Sequence, residues 1–219
     1  MAGLTTIFAA LAEDVWFKES FAWDAPIALA IHQLSHPWLD SVMEMITQTG
    51  NIGAVGLVSG LTIWLYWRHQ QQCAILLITI FGGVMGLNTL LKLIFARPRP
   101  HLFAPLVLET DYSFPSGHTV AATVLYGLLA VFLWRQRHYG WALLASSWVF
   151  AVAVSRVYLG VHYPSDVLAA LAIGGIWLLG VFFIFAWYTG WTGSIWSATK
   201  DKNFVRSFRR SCSATRQIT

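Results

Sequence analysis

His162 and Asp166 stand four residues apart in the stretch Tyr158-Leu159-Gly160-Val161-His162-Tyr163-Pro164-Ser165-Asp166, a short polar break between two apolar segments. A carboxylate on one imidazole nitrogen fixes the tautomer and leaves the other nitrogen as nucleophile or base. Pro164 fits the first position of a new helix, where a missing N–H costs nothing. Asp166 then falls in the first helical turn, where a carboxylate is favoured in any case, so the pair is either a reactive dyad or a helix start beside a stray histidine. Arg156 lies just upstream, after Ser155.

Two further clusters carry polar chemistry. In Lys92-Leu-Ile-Phe-Ala-Arg97-Pro98-Arg99-Pro100, Lys92 and Arg99 are seven apart, two turns of one side if a helix continued. Pro98 and Pro100 predict that it stops before them. Singly, each of these cations is as readily an interfacial anchor; Arg97 reads as an interfacial or headgroup-binding residue. In Phe114-Pro115-Ser116-Gly117-His118, small residues open an apolar helix. Free N–H groups and the helix dipole there favour an anion, so Ser116 and Gly117 form a candidate oxyanion cradle, although an ordinary N-cap reads the same way. His118 alone reads as an interfacial histidine.

The elements that must position these groups are membrane helices. Of 219 residues, 57% are hydrophobic and 11% charged, far below the quarter expected of a soluble domain. Apolar runs over residues 51–67, 73–95, 118–134, 141–157 and 167–187 approach or reach the length of a bilayer span. The fold class is therefore all-α, a polytopic membrane helical bundle with five clear transmembrane helices plus a short or incomplete N-terminal one. Residues 1–12 are apolar but short, followed at once by Glu13 and Asp14. Residues 15–49 read as amphipathic interfacial helices. One membrane-embedded domain is expected over residues 1–198, residues 1–50 being its N-terminal apolar and interfacial part, with a basic, disordered cytoplasmic tail over 199–219. The two cysteines, Cys73 and Cys212, lie near basic segments, are expected as reduced thiols and have no metal-ligand spacing.

Charge distribution sets the orientation. Arg68, Arg135, Arg137 and the tail fall on one side under alternation of spans, the cytoplasmic side by the positive-inside rule. Lys92, the 97–116 loop, His118, Arg156, His162 and Asp166 then fall together on the opposite side. Three cations, two histidines and a carboxylate at a membrane mouth are expensive and point to function. Arginine forks match phosphate geometry, and two histidines can divide attack and leaving-group protonation. No basic–aromatic interleaving on a soluble face supports a nucleic-acid partner.

Lys92-x6-Arg99-Pro100, Pro115-Ser116-Gly117-His118 and Ser155-Arg156-x5-His162-x3-Asp166 together resemble the three-part signature of the type 2 phosphatidic acid phosphatase family, which includes membrane lipid phosphatases and soluble vanadium haloperoxidases. The surrounding helices resemble the bacterial lipid phosphatase branch. The resemblance implies that His162 attacks phosphorus to form a phosphohistidine, that Asp166 orients it, and that His118 protonates the leaving oxygen. It implies that Lys92, Arg99, Arg156, Ser116 and the Gly117 amide bind the phosphoryl oxygens, with no metal and no cofactor. Relatives of this size have six spans, and the short first segment departs from that. The implied substrates are lipid phosphates or pyrophosphates, with undecaprenyl pyrophosphate ranked ahead of phosphatidylglycerophosphate, phosphatidic acid and diacylglycerol pyrophosphate because a site facing away from the cytoplasm suits recycling of a polyprenyl carrier. Transfer of the phosphate to another lipid is the alternative reaction. A transporter or proton relay on Lys92, His118 and Asp166 is the non-enzyme alternative. The expected location is the bacterial cytoplasmic membrane with the site facing the periplasm or exterior. The oligomeric state is not legible in the sequence.

Overall fold

The computed structural model describes residues 1–188, and among them all regular structure is helical. The tail expected over 199–219 lies outside the described residues. Helices α1 (Ala2–Trp16), α2 (Asp24–His32) and α3 (Pro37–Gln48) come first. Then follow α4 (Ile52–Trp67), α5 (Gln71–Phe95), α6 (Gly117–Arg135), α7 (Tyr139–Tyr158) and α8 (Pro164–Tyr188).

Four of these hold a stretch long and apolar enough to cross a bilayer: Cys73–Phe95, Gly117–Arg135, Tyr139–Tyr158 and Pro164–Ile184. The fifth expected span, α4, has 16 residues, about 24 Å at 1.5 Å per residue, short of the roughly 30 Å hydrocarbon core. The N-terminal apolar segment is a 15-residue helix packed on α8 through Leu11, Val15 and Ala169.

Helix α6 is the centre of the bundle, packed against α7, α8, α5 and α4. Its Val120 and Val124 meet Ile80 and Val84 of α5 and Ala170 and Leu178 of α8 in the largest buried cluster. Small residues allow this closeness: a Cβ on Gly174 would meet Thr123 at 2.8 Å, and one on Gly127 would meet Leu178 at 2.8 Å. Outward faces carry exposed apolar side chains such as Ile75 and Leu90 on α5, Phe150 on α7 and Phe183 on α8, the pattern of a surface solvated by lipid.

The chain turns where its sequence says it must. α5 ends at Phe95, with Ala96 in the left-handed region before the two prolines, and α8 begins on Pro164. The α5–α6 connection, without regular structure, folds back over the α7–α8 junction. The Leu106 N–H donates to the Leu159 carbonyl at 3.0 Å, and the Ser113 N–H donates to the Arg97 carbonyl at 2.9 Å. Gly160 has φ +77°, and a Cβ there would meet Phe103 at 2.5 Å, so only glycine fits beneath this loop. Helices α2 and α3 pack against α7 beside the same junction.

Cys73, buried near the start of α5, is disulfide-bonded, which corrects the expected reduced thiol. Charge counting reports the side of the membrane, not which sulfur atoms a fold brings together. Cys212 lies outside the described residues.

Candidate active site

His162 sits in the α7–α8 turn at 1% exposure, and Asp166 in the first turn of α8 is fully buried. The His162 Nδ1 lies 3.5 Å from Asp166 Oδ2, facing it but outside hydrogen-bond geometry. The other nitrogen, Nε2, lies 3.3 Å from Arg99 Nη1. Burial pushes the imidazole down to about 4; the Asp166 carboxylate pulls it up, and the Arg156 cation adds to the lowering. At neutral pH the ring is therefore uncharged, with a lone pair for attack.

Asp166 is fixed from three further sides. The Tyr163 N–H donates to Oδ2 at 2.9 Å, the Ser113 hydroxyl donates to Oδ2, and Arg97 Nη1 donates to Oδ1. Arg97 is thus no headgroup ligand at the interface. It also donates to the Ser165 hydroxyl at 2.8 Å and, through Nη2, to Asp24 at 3.0 Å, and its guanidinium lies over the Tyr163 ring at 4.3 Å. Asp24, at the start of α2 and 3% exposed, accepts from the Ser165 N–H at 2.8 Å and from the Ser165 hydroxyl at 2.6 Å.

The three cations expected to hold phosphate converge, and two loop carboxylates occupy them. Glu109 accepts from Arg156 Nη2 through Oε1 and from Arg99 Nη2 through Oε2 at 3.3 Å. The same Oε1 is 3.9 Å from His118 Nε2. Asp111 accepts from Lys92 Nζ at 2.5 Å and from Arg99 Nη2. Burial alone would raise the Asp111 carboxyl, but hydrogen bonds and charge from Lys92 and Arg99 hold it below the usual carboxylate range. Arg156 is 1% exposed and also donates to the Thr47 hydroxyl of α3 at 2.8 Å. An anion seat is therefore present between the two histidines, filled by the chain's own carboxylates.

His118 stands one residue into α6, with Gly117 before it. The Ser116 N–H donates to the Asp166 carbonyl at 3.3 Å, tying this helix start to α8. The Ser116 hydroxyl does not reach the anion seat: it is buried against Thr119 Oγ1 at 3.0 Å. The helix start itself is held close, since a Cβ on Gly50 of the α3–α4 turn would meet the His118 carbonyl oxygen at 2.9 Å.

The sequence matches the PAP2 superfamily over residues 71–191, which contains all three clusters. The chain belongs to this family. It is 33% identical to phosphatidylglycerophosphatase B of Bacillus subtilis over 78% of this chain and 87% of that protein. It is 38% identical to the undecaprenyl-diphosphatase BcrC of the same organism over 66% of this chain and 75% of that protein. The fold is similar to the crystal structure of a transmembrane PAP2-type phosphatidylglycerolphosphate phosphatase from Bacillus subtilis, with TM-score 0.75 and 31% identity over 84% of this chain and 94% of that one. With its four apolar spanning helices, the chain is an integral membrane protein.

Among the expected PAP2 site residues, Lys92, Arg99, Arg156, His118, His162 and Asp166 gather at one end of the bundle, and only the Ser116 hydroxyl turns away. Sequence reasoning missed Asp24, Glu109, Asp111 and Ser113. Asp24 lies at the start of α2, 142 positions from Asp166 in the sequence, and no spacing rule connects them. Glu109 and Asp111 did leave a signal: two acids in a long connection between cation clusters, in a loop too long to be a mere linker.

Proposed function

We propose that this chain hydrolyses a phosphate monoester or diphosphate on a lipid at the non-cytoplasmic face of a bacterial cytoplasmic membrane, through a phosphohistidine on His162. The observation that carries the reading is the seat of Glu109. One anionic group there meets Arg99 and Arg156 and faces His118, the surroundings a phosphoryl group needs.

In the reaction, His162 Nε2 attacks phosphorus, the bond from phosphorus to the lipid oxygen breaks, and His118 gives its proton to that oxygen. Water then attacks the phosphohistidine, passes its proton to His118 and releases orthophosphate. Lys92, Arg99, Arg156 and the Gly117 N–H hold the equatorial oxygens. Asp166 stabilises the positive charge that His162 gains on attack, closing the 3.5 Å separation as it does so. Ser116 acts by holding the start of α6 rather than by touching phosphate.

The relatives' substrates, undecaprenyl diphosphate and phosphatidylglycerophosphate, frame the choice for this chain. We read α4 as a fifth, shorter span, because Val55, Leu61 and Ile63 are exposed on its flank. Arg68, Arg135 and Arg137 mark the cytoplasmic ends of α4, α6 and α7. The described residues then belong to the one membrane-embedded phosphatase domain expected over 1–198, whose last ten residues lie outside the described range.

The test is phosphate release by the purified chain from a panel of lipid phosphates and diphosphates, in the presence of excess chelator. Release from at least one lipid supports the reading. Absence of release from all of them, or strict dependence on an added divalent ion, overturns it.

A further inference from the structure

A cavity of about 290 Å³ opens beside the anion seat, with Glu109 and His118 in its wall and His162 outside its lining. Its walls come from α5, the start of α6, the α3–α4 turn and the loop that carries Glu109 and Asp111. Leu93 in its wall is also exposed on the outer, lipid-facing side of α5, so the cavity reaches toward the bilayer. A leaving group protonated by His118 would lie here.

Asn88 supplies the specific chemistry. It stands four residues before Lys92, one turn away on the same face of α5. It is 4% exposed, and its Oδ1 is fully buried without a hydrogen-bond partner. Its Nδ2 lies against Gly117, where an added Cβ would come within 3.1 Å. An unpaired buried amide is costly to keep, and a ligand that pairs with it recovers that loss.

The other groups in the wall decide what kind of ligand this is. Among the described residues lining the cavity, Lys92 is the one permanent cation, and its ammonium is already engaged by Asp111 at 2.5 Å and the Tyr112 carbonyl at 2.7 Å. The acidic side chains in the wall are Glu109 and Asp111. A second phosphate would enter facing two carboxylates and an amide oxygen. A neutral headgroup with a hydroxyl would find acceptors.

We propose that this cavity is a leaving-group subsite in which Asn88 accepts a hydrogen bond from a hydroxyl of the headgroup, so that the enzyme prefers a phosphomonoester on a hydroxyl-bearing headgroup to a lipid diphosphate. The inference rests on the lipid phosphatase reading above. The pairing of one hydroxyl with a buried amide sets the preference, because a substrate lacking the hydroxyl leaves the amide unpaired.

The experiment compares kcat/KM of the full chain on two soluble short-chain substrates: a phosphomonoester on a glycerol headgroup with a free hydroxyl, and a prenyl diphosphate. Wild type favours the first. Asn88→Ala lowers the ratio of the two values by roughly tenfold, the worth of one hydrogen bond to a buried group. Asn88→Asp, which keeps the acceptor and adds charge, holds or raises the ratio. A wild-type preference for the diphosphate overturns the proposal, as does a ratio unmoved or raised in Asn88→Ala, or one lowered in Asn88→Asp. Release from neither substrate by wild type, with no release across the wider lipid panel, is instead a failure of the lipid phosphatase reading itself.

Discussion

Arg97 Nη2 donates to Asp24 Oδ2 at 3.0 Å while its Nη1 holds Asp166, so a residue of helix α2 is two contacts from the carboxylate behind His162. Both members of the pair are nearly buried, where removal of one partner strands the other's charge. Asp24→Ala is therefore expected to destabilise the protein by ~3 kcal/mol, and to lower kcat by loosening the bed of Asp166. Thermal unfolding in detergent, alongside kcat, checks this; an unchanged midpoint with full kcat would show that α2 merely rests on the surface.

His162→Ala is expected to lower phosphate release on the order of 10⁴-fold or more, as when a covalent nucleophile is deleted. The corresponding trapping experiment is enzyme quenched in alkaline detergent with labelled substrate, which should carry an alkali-stable, acid-labile phosphoryl group in wild type and none in the variant. Label retained in His162→Ala would move the nucleophile elsewhere.

Arg156→Lys should reduce kcat/KM by roughly 10²-fold, the usual effect of losing one donor to transition-state charge. The side chain reaches both Thr47 and Glu109 with separate nitrogens, and a lysine has one. Near-normal kinetics would reduce Arg156 to an anchor between α7 and α3.

Glu109 holds Arg99 and Arg156, and in the proposed reaction phosphate must compete with it for them. Glu109→Gln removes the competing charge and is expected to tighten competitive inhibition by orthophosphate by roughly tenfold, given the strength of hydrogen bonds to charged groups. An inhibition constant that stays the same or weakens would mean that Glu109 supports the anion seat rather than filling it.

The pH dependence follows from His162. Its folded value is about 4, depressed from 6.5 chiefly by burial, so the imidazole stays neutral as pH falls through 6 and is protonated only near 4. The acid limb of kcat/KM that belongs to His162 should therefore lie well below 6.5. Stability has the same sign: the unfolded chain takes up a proton near 6.5 and the folded one near 4, so this residue's share of stability is full above 6.5 and is lost as pH falls toward 4. A phosphohistidine yield that halves near pH 6.5 would contradict the buried, neutral ring.

Leu108 is 93% exposed at the tip of the loop over the site. In Leu108→Cys, a membrane-impermeant maleimide added to intact cells should label that position above the wild-type background. Labelling only after permeabilisation would reverse the orientation.

Much of this site was legible in one dimension. Hydropathy and charge alternation brought Lys92, His118, Arg156, His162 and Asp166 to one membrane face, because a span of fixed length sends every second loop to the same side. Pro164 and the pair Pro98 and Pro100 marked a helix start and a helix end by backbone chemistry alone. Each of the three clusters lies within a dozen consecutive residues around one helix end or junction, and so their spacing survived in the sequence.

What the tertiary structure alone decided is which partner each charge takes. Asp166 reads in sequence as the partner of His162 alone; in the fold it faces His162 and is also held by Arg97, Ser113 and the Tyr163 N–H. Arg97 read as an interfacial residue and is instead bound to Asp24 and Asp166, because a helix from the far end of the chain packs beside it. Lys92, Arg99 and Arg156 read as open phosphate donors and are held by Glu109 and Asp111, because the α5–α6 loop folds inward. Periodicity and spacing report the direction a residue faces on its own element. Pairing across elements depends on distances set by packing, which the order of residues along the chain does not contain.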